Sequence, residues 1–278
     1  MSQLTQMRHR IRAIQTIKKI THAMRLISMS THSRMKHMQE PLELYQKSIA
    51  TLLKQAHKAY PSYHNTILNP IEKAHHKTLV ILVGSQKGLC GGFNTSLFQL
   101  FNKKEKESPS SSIITVGKRA TNFIQKNRPE NLIAFYNNFG LHNAQTISES
   151  LLHEIIQHSY SSVIMYGNTA PSFFSQKPIE LQIIPSIQTE DAAPDIFYEW
   201  EQSAQEILSF LSEKYILSQI ENALFQSLLA EHAARFISMD SSTRNAEQLL
   251  ERMQRDYNKL RQAKITRELT ELSSFFLS

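Results

Sequence analysis

Cysteine and long apolar runs are scarce in this chain of 278 residues. The single cysteine, Cys90, excludes an internal disulfide framework and any metal site built from several cysteines. The longest apolar run, residues 79–83 with their neighbours, is far shorter than the roughly 20 residues that a transmembrane helix needs. With 41% apolar and 20% charged residues, the chain can bury a sizeable core. We therefore expect one or two folded domains and no membrane span.

Glycine and proline are confined to the middle of the chain. All seven glycines lie between Gly84 and Gly167, and all nine prolines lie between Pro41 and Pro194. Because these two residues interrupt helices most readily, long helices are permitted at both ends. The predicted domains are an N-terminal coiled-coil helix over 1–60, an α/β domain over 75–195 and a C-terminal coiled-coil helix over 200–278.

Apolar residues near both ends recur with the alternating three- and four-residue spacing of a coiled-coil seam. Two helices with matching seams most simply pair antiparallel around an inserted middle. Two ordinary amphipathic helices packed on a globular core are the alternative. Pro41 lies inside the first helix and should kink it or remove one hydrogen bond. The seam residues are Leu4, Met7, Ile11, Ile14 and, after a break, Leu42, Tyr45, Ile49, Leu52 and Ala56, then Ala246, Leu250, Met253, Tyr257 and Leu260.

The middle of the chain alternates short apolar runs with amphipathic stretches. This alternation indicates a mostly parallel sheet with helical cover. The run over 179–184 predicts an edge strand, followed by a linker that returns the chain to the last helix. The predicted strands are 78–83, 113–116, 132–136 and 162–166, and the predicted helices are 94–106, 118–126 and 143–158.

Two patterns resemble catalytic or metal sites and fail on their spacing. A buried strand followed by the glycine-rich residues 84–92 has the outline of a nucleotide site. A P-loop, however, needs Lys and then Ser or Thr directly after its last glycine, whereas Gly92 is followed by Phe93. His153 and His158 are five residues apart, about 140° around a helix, and cannot share one metal. We find no self-contained active site and expect a tight structural turn.

Positive charge is concentrated at the N-terminus. Residues 1–39 hold eight Lys and Arg and no acid, and residues 1–60 carry a net charge of +9. Three interpretations compete: a transit peptide, an arm that binds nucleic acid, and a basic helix that faces an acidic protein surface. The aromatic residues that a reader of single strands would interleave are missing here.

Three parts of the sequence match a known family. They are residues 11–24, which end in Lys19-Ile-Thr-His-Ala-Met24; the segment Gly88-Leu-Cys-Gly-Gly-Phe-Asn94; and a C-terminal pair, Ala230-Glu-His-Ala-Ala-Arg235 with residues 257–271. On these residues the chain resembles the gamma subunit of the rotary F-type ATP synthase over nearly its full length. The resemblance implies an α/β fold class, with a long antiparallel coiled coil of N- and C-terminal helices and an inserted Rossmann-like α/β domain.

The resemblance also implies a function. The chain would be a non-catalytic central rotor shaft that couples ion flow through a membrane c-ring to rotary catalysis in an alpha-beta hexamer. Its partners would be the alpha, beta and epsilon subunits and the c-ring, and ATP and magnesium would bind to partner subunits, so no cofactor is expected on this chain. We expect a peripheral location on the cytoplasmic face of the bacterial inner membrane. A nucleotide-binding α/β enzyme and a basic coiled-coil nucleic-acid binder are the alternatives.

Particular residues take their expected roles from the same resemblance. The family start at Met1 leaves no room for a transit peptide, and the lone cysteine excludes a chloroplast regulatory insert. The chain departs from the family at Arg25, where an acid is usual, and at Phe275-Phe276, where Gly-Ala is usual, which suggests a divergent branch. Contacts with the beta subunits are expected from Lys18, Lys19, Met24, Arg25, Arg261, Gln262 and Thr266; a hydrophobic bearing from Leu272, Phe275, Phe276 and Leu277; and docking to epsilon and the c-ring from Gly88, Leu89, Cys90, Gly91, Gly92, Phe93 and Asn94.

Overall fold

The computed structural model describes residues 3–60, 68, 78–105, 112–158, 160–185 and 202–276. The chain forms two compact units. We call Met1–Met29 with Arg235–Ser278 the helical unit, and Ser30–Ala234 the sheet unit. The elements in chain order are α1 (Gln3–Ala59), β1 (Thr78–Val83), α2 (Phe93–Glu105), β2 (Ser112–Val116), α3 (Lys118–Asn127), a 3-10 turn (Pro129–Asn131), β3 (Leu132–Tyr136), α4 (Ala144–His158), β4 (Ser162–Ser172), β5 (Ser175–Ile184) and α5 (Ala204–Phe276).

The sheet unit is built on one five-stranded sheet of order β3-β2-β1-β4-β5. β1 pairs in parallel with β2 and with β4, and β2 pairs in parallel with β3. β5 is antiparallel to β4 and forms an edge of the sheet. The mostly parallel sheet and the edge strand predicted from the sequence are therefore confirmed.

The central strand β1 is apolar along its length because both of its faces are covered. Leu79 and Ile81 belong to one core cluster, which includes residues of α4, of α1 from Met35 onward and of the first part of α5. Val80 and Leu82 belong to a second cluster with residues of α2 and α3. The two clusters place helices on opposite faces of the sheet, which is the arrangement that parallel strands with helical crossovers require.

The compact units divide the chain differently from the predicted domains, which followed the order of the elements. Leu53 and Ala56 of α1 and Leu208 and Leu224 of α5 are buried in the same cluster as the sheet. The later part of α1 and the first part of α5 therefore belong to the sheet unit, and the helical unit contains only their other ends.

Several predicted boundaries shift by a few residues. α2 begins at Phe93 and ends at Glu105, α4 begins at Ala144, and α5 begins at Ala204. The largest difference is β4, which continues to Ser172 because antiparallel pairing with β5 extends it. α1 continues through Pro41, which has no N–H to donate. None of the helices in the described ranges is both long and apolar enough to cross a membrane.

Candidate functional site

The helical unit is an antiparallel pair made by the first part of α1 and the last part of α5. Near one end, Arg8 Nε donates to the Tyr257 hydroxyl over 2.7 Å. Toward the other end, Arg25 Nη1 donates to Asp240 Oδ1, also over 2.7 Å. From Arg8 to Arg25 the chain advances by as many residues as it advances from Asp240 to Tyr257. The two helices therefore keep one register between these contacts, and the antiparallel pairing predicted from the seams is present in this unit.

Between Ile14 and Arg25 the seam is polar. The hydroxyls of Thr21 and Thr243 lie 2.9 Å apart, and both residues are buried. Lys18 Nζ lies 3.0 Å from Glu247 Oε1. The break in the apolar pattern after Ile14 is thus a stretch in which polar pairs occupy the seam. Directional contacts of this kind specify register more tightly than apolar contacts, which tolerate sliding.

Asp240 carries the strongest electrostatic contact of this polar layer. The hydrogen bond from Arg25 lowers the pKa of its carboxyl, partial desolvation opposes this, and Arg244 lowers the pKa further. Arg244 Nη2 lies 2.6 Å from Asp240 Oδ2. The family resemblance implied that Lys18 and Arg25 contact the beta subunits. Asp240 and Glu247 of α5 in fact pair with Arg25 and Lys18, so part of the matching charge lies within the chain.

The predicted beta-subunit residues of α1 differ in their availability. Lys19 is exposed and Met24 is half-buried. Sequence reasoning missed the apolar side chains beside them: Ile17, Ile20 and Ile27 are 48%, 53% and 63% exposed. Together with Met24, these residues follow one another at intervals of three, four and three residues. Each lies one residue before a position of the seam that pairs with α5. That spacing was visible in the sequence and marks a second apolar stripe on α1.

The last part of α5 extends past the described start of α1. The register set by Arg25 and Asp240 places Gln3 level with Gln262. Every residue from Arg261 to Thr270 is exposed, which includes the predicted contacts Gln262 and Thr266. Lys264 and Glu268 pair along the helix at 3.3 Å.

The predicted hydrophobic bearing is only partly described. Leu272 is 56% exposed, whereas the side chains of Phe275 and Phe276 and the whole of Leu277 lie outside what the structure describes. Two residues that the sequence analysis overlooked, Ile265 and Leu269, are 47% and 62% exposed. Ile265, Leu269 and Leu272 follow each other at four and three residues, and this spacing was the signal that could have found them.

In the sheet unit, the predicted docking segment forms a tight turn after β1. The Asn94 side chain closes it: its Oδ1 accepts from the Ser85 backbone N–H over 3.0 Å, and its Nδ2 donates to Ser85 Oγ over 2.8 Å. Asn94 Nδ2 also lies 3.3 Å from Cys90 Sγ. Two residues have positive φ, Leu89 at 66° and Gly91 at 57°. The interpretation of this segment as a structural turn is consistent with these bonds.

Gln86, which follows Ser85 after the end of β1, forms hydrogen bonds with several elements. Its backbone N–H points to Glu231 Oε2 of α5 at 3.4 Å. Its side-chain Oε1 accepts from the backbone N–H groups of Lys118 and Phe139, at 3.4 and 3.2 Å. These groups follow β1, β2 and β3, at the carboxyl edge where open α/β sheets bind their ligands. In this chain the edge is occupied by the chain's own groups.

Two apolar side chains complete the contact between the turn and α5. Cys90 and Phe93 are 3% and 5% exposed and pack with Ala230 and Ala234. Of the other predicted docking residues, Leu89 is 58% exposed. Gly91 and Gly92 are also exposed, and Gly88 and Asn94 are half-buried. The surface that the turn can offer to a partner is therefore centred on Leu89.

The two histidines of α4 do not approach a common point for a metal. His158 Nδ1 lies 3.1 Å from Glu154 Oε1, one turn earlier on its own helix. Across the part of the chain that the structure describes, no group of three His, Cys, Asp or Glu side chains is placed to hold a metal ion.

Comparison with known proteins decides the family. A family model described as ATP synthase matches residues 3–275. A gamma chain from Granulibacter bethesdensis is 30% identical over 297 residues, covering 99% of this chain and 98% of that protein. This chain belongs to the ATP synthase gamma-chain family. A gamma chain from Geobacter metallireducens, 29% identical over 283 residues with the same coverage, agrees.

Solved structures share the fold of this gamma chain. A chain in the mitochondrial ATP synthase of Euglena gracilis, solved with F1 and the c-ring, aligns with a TM-score of 0.66 and 17% identity, over 98% of this chain and 93% of that one. A chain of the central stalk and c-ring of the Tetrahymena thermophila enzyme aligns with a TM-score of 0.60 and 19% identity, over 80% and 98%. The fold class implied by the resemblance is confirmed.

Membership of the family fixes the general role. The chain is the central rotor shaft of an F-type ATP synthase, a peripheral and non-catalytic subunit of that complex. The function implied by the resemblance is thus confirmed, and the nucleotide-binding enzyme and the nucleic-acid binder are both wrong.

Proposed function

We propose that this gamma chain couples ion flow through a membrane c-ring to rotary catalysis in a hexamer of alpha and beta subunits, with an epsilon subunit bound beside it. The observation that carries the proposal is the end of α5, which runs past the level of Gln3 with exposed side chains from Arg261 to Thr270. A helix that leaves its partner while presenting both charges and apolar groups needs a protein surface around it.

The paired part of the helical unit supplies the contacts with the beta subunits along α1. Lys19 is the leading contact because it is exposed, whereas Lys18 and Arg25 pair with acids of α5. Lys18 and Arg25 contact the beta subunits while also pairing with Glu247 and Asp240 of α5. Met24 contributes through the apolar stripe that it forms with Ile20. Acidic loops on the beta subunits are the complementary surface.

The end of α5 supplies a second set of contacts. Arg261, Gln262 and Thr266 bond to the beta subunits as rotor-to-stator hydrogen bonds. The bearing begins earlier than the sequence suggested, at Ile265, and continues through Leu269 to Leu272 and the residues that follow. The exposed apolar spacing of these three residues supports that assignment.

The turn Gly88–Asn94 attaches the chain to epsilon and the c-ring. Leu89 is the contacting side chain, since Cys90 and Phe93 are buried against α5. Gly91 and Gly92 provide exposed backbone beside it. The buried residues hold the turn in place and contact no partner.

ATP and magnesium bind to partner subunits in this proposal, and the chain itself holds no cofactor. At its own carboxyl sheet edge, where an α/β enzyme would hold a nucleotide, Gln86 bonds to the backbone N–H groups of Lys118 and Phe139. The complex is placed at the bacterial inner membrane, with this subunit on the cytoplasmic face.

Co-assembly tests the proposal. The full chain is mixed with alpha and beta subunits of the same organism, and complex formation and ATP hydrolysis are measured; the control is the same chain ended after Leu260. We expect the full chain to form a complex that hydrolyses ATP, and the shortened chain to assemble less completely and to hydrolyse more slowly. Failure of the full chain to assemble would contradict the proposal, as would tight stoichiometric binding of ATP to the chain alone.

A further inference from the structure

In the sheet unit, α5 contacts the turn after β1 both by packing and by a hydrogen bond. Ala230 and Ala234 are one helical turn apart, and both are buried against Cys90 and Phe93 of the turn. Small side chains allow the helix to lie close to the turn, but apolar contact is non-directional. The packing of these two small side chains alone would therefore resist separation from the turn more than it resists rotation of α5 at this level.

Glu231 supplies the direction that packing lacks. It lies between the two alanines in sequence, is 4% exposed, and its Oε2 is 3.4 Å from the Gln86 backbone nitrogen. A buried carboxylate is costly unless it is hydrogen-bonded, so its partners are held firmly. A bond of this kind fixes the angular position of α5 at that level.

The side chain of Gln86 is in turn held by hydrogen bonds from the segments that follow two other strands. Its Oε1 accepts from the N–H of Lys118, where α3 begins after β2, and from the N–H of Phe139, in the loop after β3. One residue therefore bonds to α5 and, through its side chain, to the segments that follow two neighbouring strands. Gln86 therefore links Glu231 to the segments that follow β1, β2 and β3, so a force on any of these strands can act on α5 through Glu231.

We propose that Glu231 and Gln86 are positioning residues that lock α5 to the carboxyl edge of the sheet, so that torque applied to the sheet unit turns α5 without slip. The inference rests on the proposed rotor function and adds to it the residues within the chain through which torque passes. Neither residue touches nucleotide or ion in this role; each acts through the helix that it holds.

The test uses the complete enzyme in vesicles and measures ATP hydrolysis and ATP-driven ion pumping in the same preparation. Removing a hydrogen bond to a charged group shifts an equilibrium by about tenfold. We expect Glu231→Ala to lower the ratio of pumping to hydrolysis by about that factor, while hydrolysis itself stays within about twofold of the unaltered enzyme. Glu231→Gln keeps an oxygen that accepts from Gln86 and should restore most of the ratio.

Glu105→Ala is the matched control. Glu105 is a buried carboxylate of the same unit, 3% exposed, and it pairs with Arg128 at 2.8 Å, away from α5. Its removal should lower the melting temperature of the complex and leave the pumping-to-hydrolysis ratio unchanged. A ratio that falls equally in Glu231→Ala and Glu105→Ala would show a general loss of stability and overturn the inference.

A second variant covers the case in which Glu231→Ala does not assemble. Gln86→Leu keeps the backbone N–H toward Glu231 but removes the acceptor for Lys118 and Phe139. We expect it to lower the same ratio, and an unchanged ratio would overturn the inference. Failure of the unaltered enzyme to pump would contradict the proposed rotor function itself, which separates the two results.

Discussion

Gly91 has a backbone conformation in the turn after β1 that favours glycine. Its φ of 57° is a conformation that costs a residue with a side chain about 1 to 2 kcal/mol. The neighbouring Gly92 has no such requirement, and a Cβ added there would meet nothing closer than Ser96 Oγ at 3.9 Å. The sequence does not distinguish the two adjacent glycines. The structure assigns it to Gly91.

We therefore expect the two glycines to respond differently to the same substitution. Gly91→Ala should lower the free energy of unfolding by about 1 kcal/mol, and Gly92→Ala should change it by less than about 0.5 kcal/mol. Chemical denaturation of the purified chain measures both. Equal losses in the two variants would mean that the turn is constrained by close packing and not by the backbone angle.

Asp240 predicts how the helical unit responds to pH. Its pKa is lowered chiefly by the hydrogen bond from Arg25, so the folded state favours the ionised carboxyl. The stabilisation is present above the unfolded pKa of about 4 and is lost as the pH falls through the lower folded value. Asp240→Asn should thus lower the melting temperature at pH 7, and the difference from the unaltered chain should shrink below about pH 4. The exposed Asp256→Asn on the same helix is the control; a difference independent of pH would exclude the ion pair as its cause.

At the scale of the helix, the two adjacent lysines of α1 differ in their surroundings within the chain. Lys18 pairs with Glu247 on α5, whereas Lys19 is exposed. Because the side chains of Lys18 and Glu247 are 40% and 47% exposed, that pair should stabilise the chain by no more than about 1 kcal/mol.

Lys19→Gln should leave the melting temperature of the chain unchanged. If Lys19 faces the beta subunits, as proposed, the substitution removes a charge from that contact and should weaken the salt dependence of ATP hydrolysis in the complex. Lys18→Gln should lower the melting temperature slightly and affect the salt dependence less. Both quantities are measured on the chain and on the assembled complex. If Lys18→Gln changed the salt dependence more than Lys19→Gln, the intramolecular pair would not hold in the complex.

The elements show why part of this structure could be predicted and part could not. Apolar spacing and the absence of Gly and Pro predicted both long helices, because local periodicity records which face is buried. The polar layer at Thr21 and Thr243 was not predicted, since only the folded helix pair shows that these positions face each other. The bond between Gln86 and Glu231 joins residues separated by 145 positions, and no periodic signal records such a contact.

At the scale of the whole molecule, the chain divides its tasks between exposed and buried surfaces. The sheet unit fills with its own groups the edge that related architectures use for ligands. The helical unit buries Ile11 and Tyr257 yet leaves Ile265 and Leu269 uncovered at its end. Ile265 and Leu269 are thus exposed where the proposed function expects a partner.

The last prediction concerns that uncovered end. Because Ile265 and Leu269 are 47% and 62% exposed, replacing both by Ser should leave the melting temperature of the chain alone nearly unchanged. If the partner subunits cover them, each loses part of the roughly 1.5 to 3 kcal/mol that full burial of such a side chain is worth. We expect the double variant to dissociate faster from the alpha-beta hexamer and to lower ATP synthesis. Leu249→Ser, at an exposed apolar position of the same helix before the end, is the matched control and should affect dissociation less. Equal dissociation rates for the double variant and the unaltered chain would mean that the bearing lies beyond Leu269, in the final residues alone.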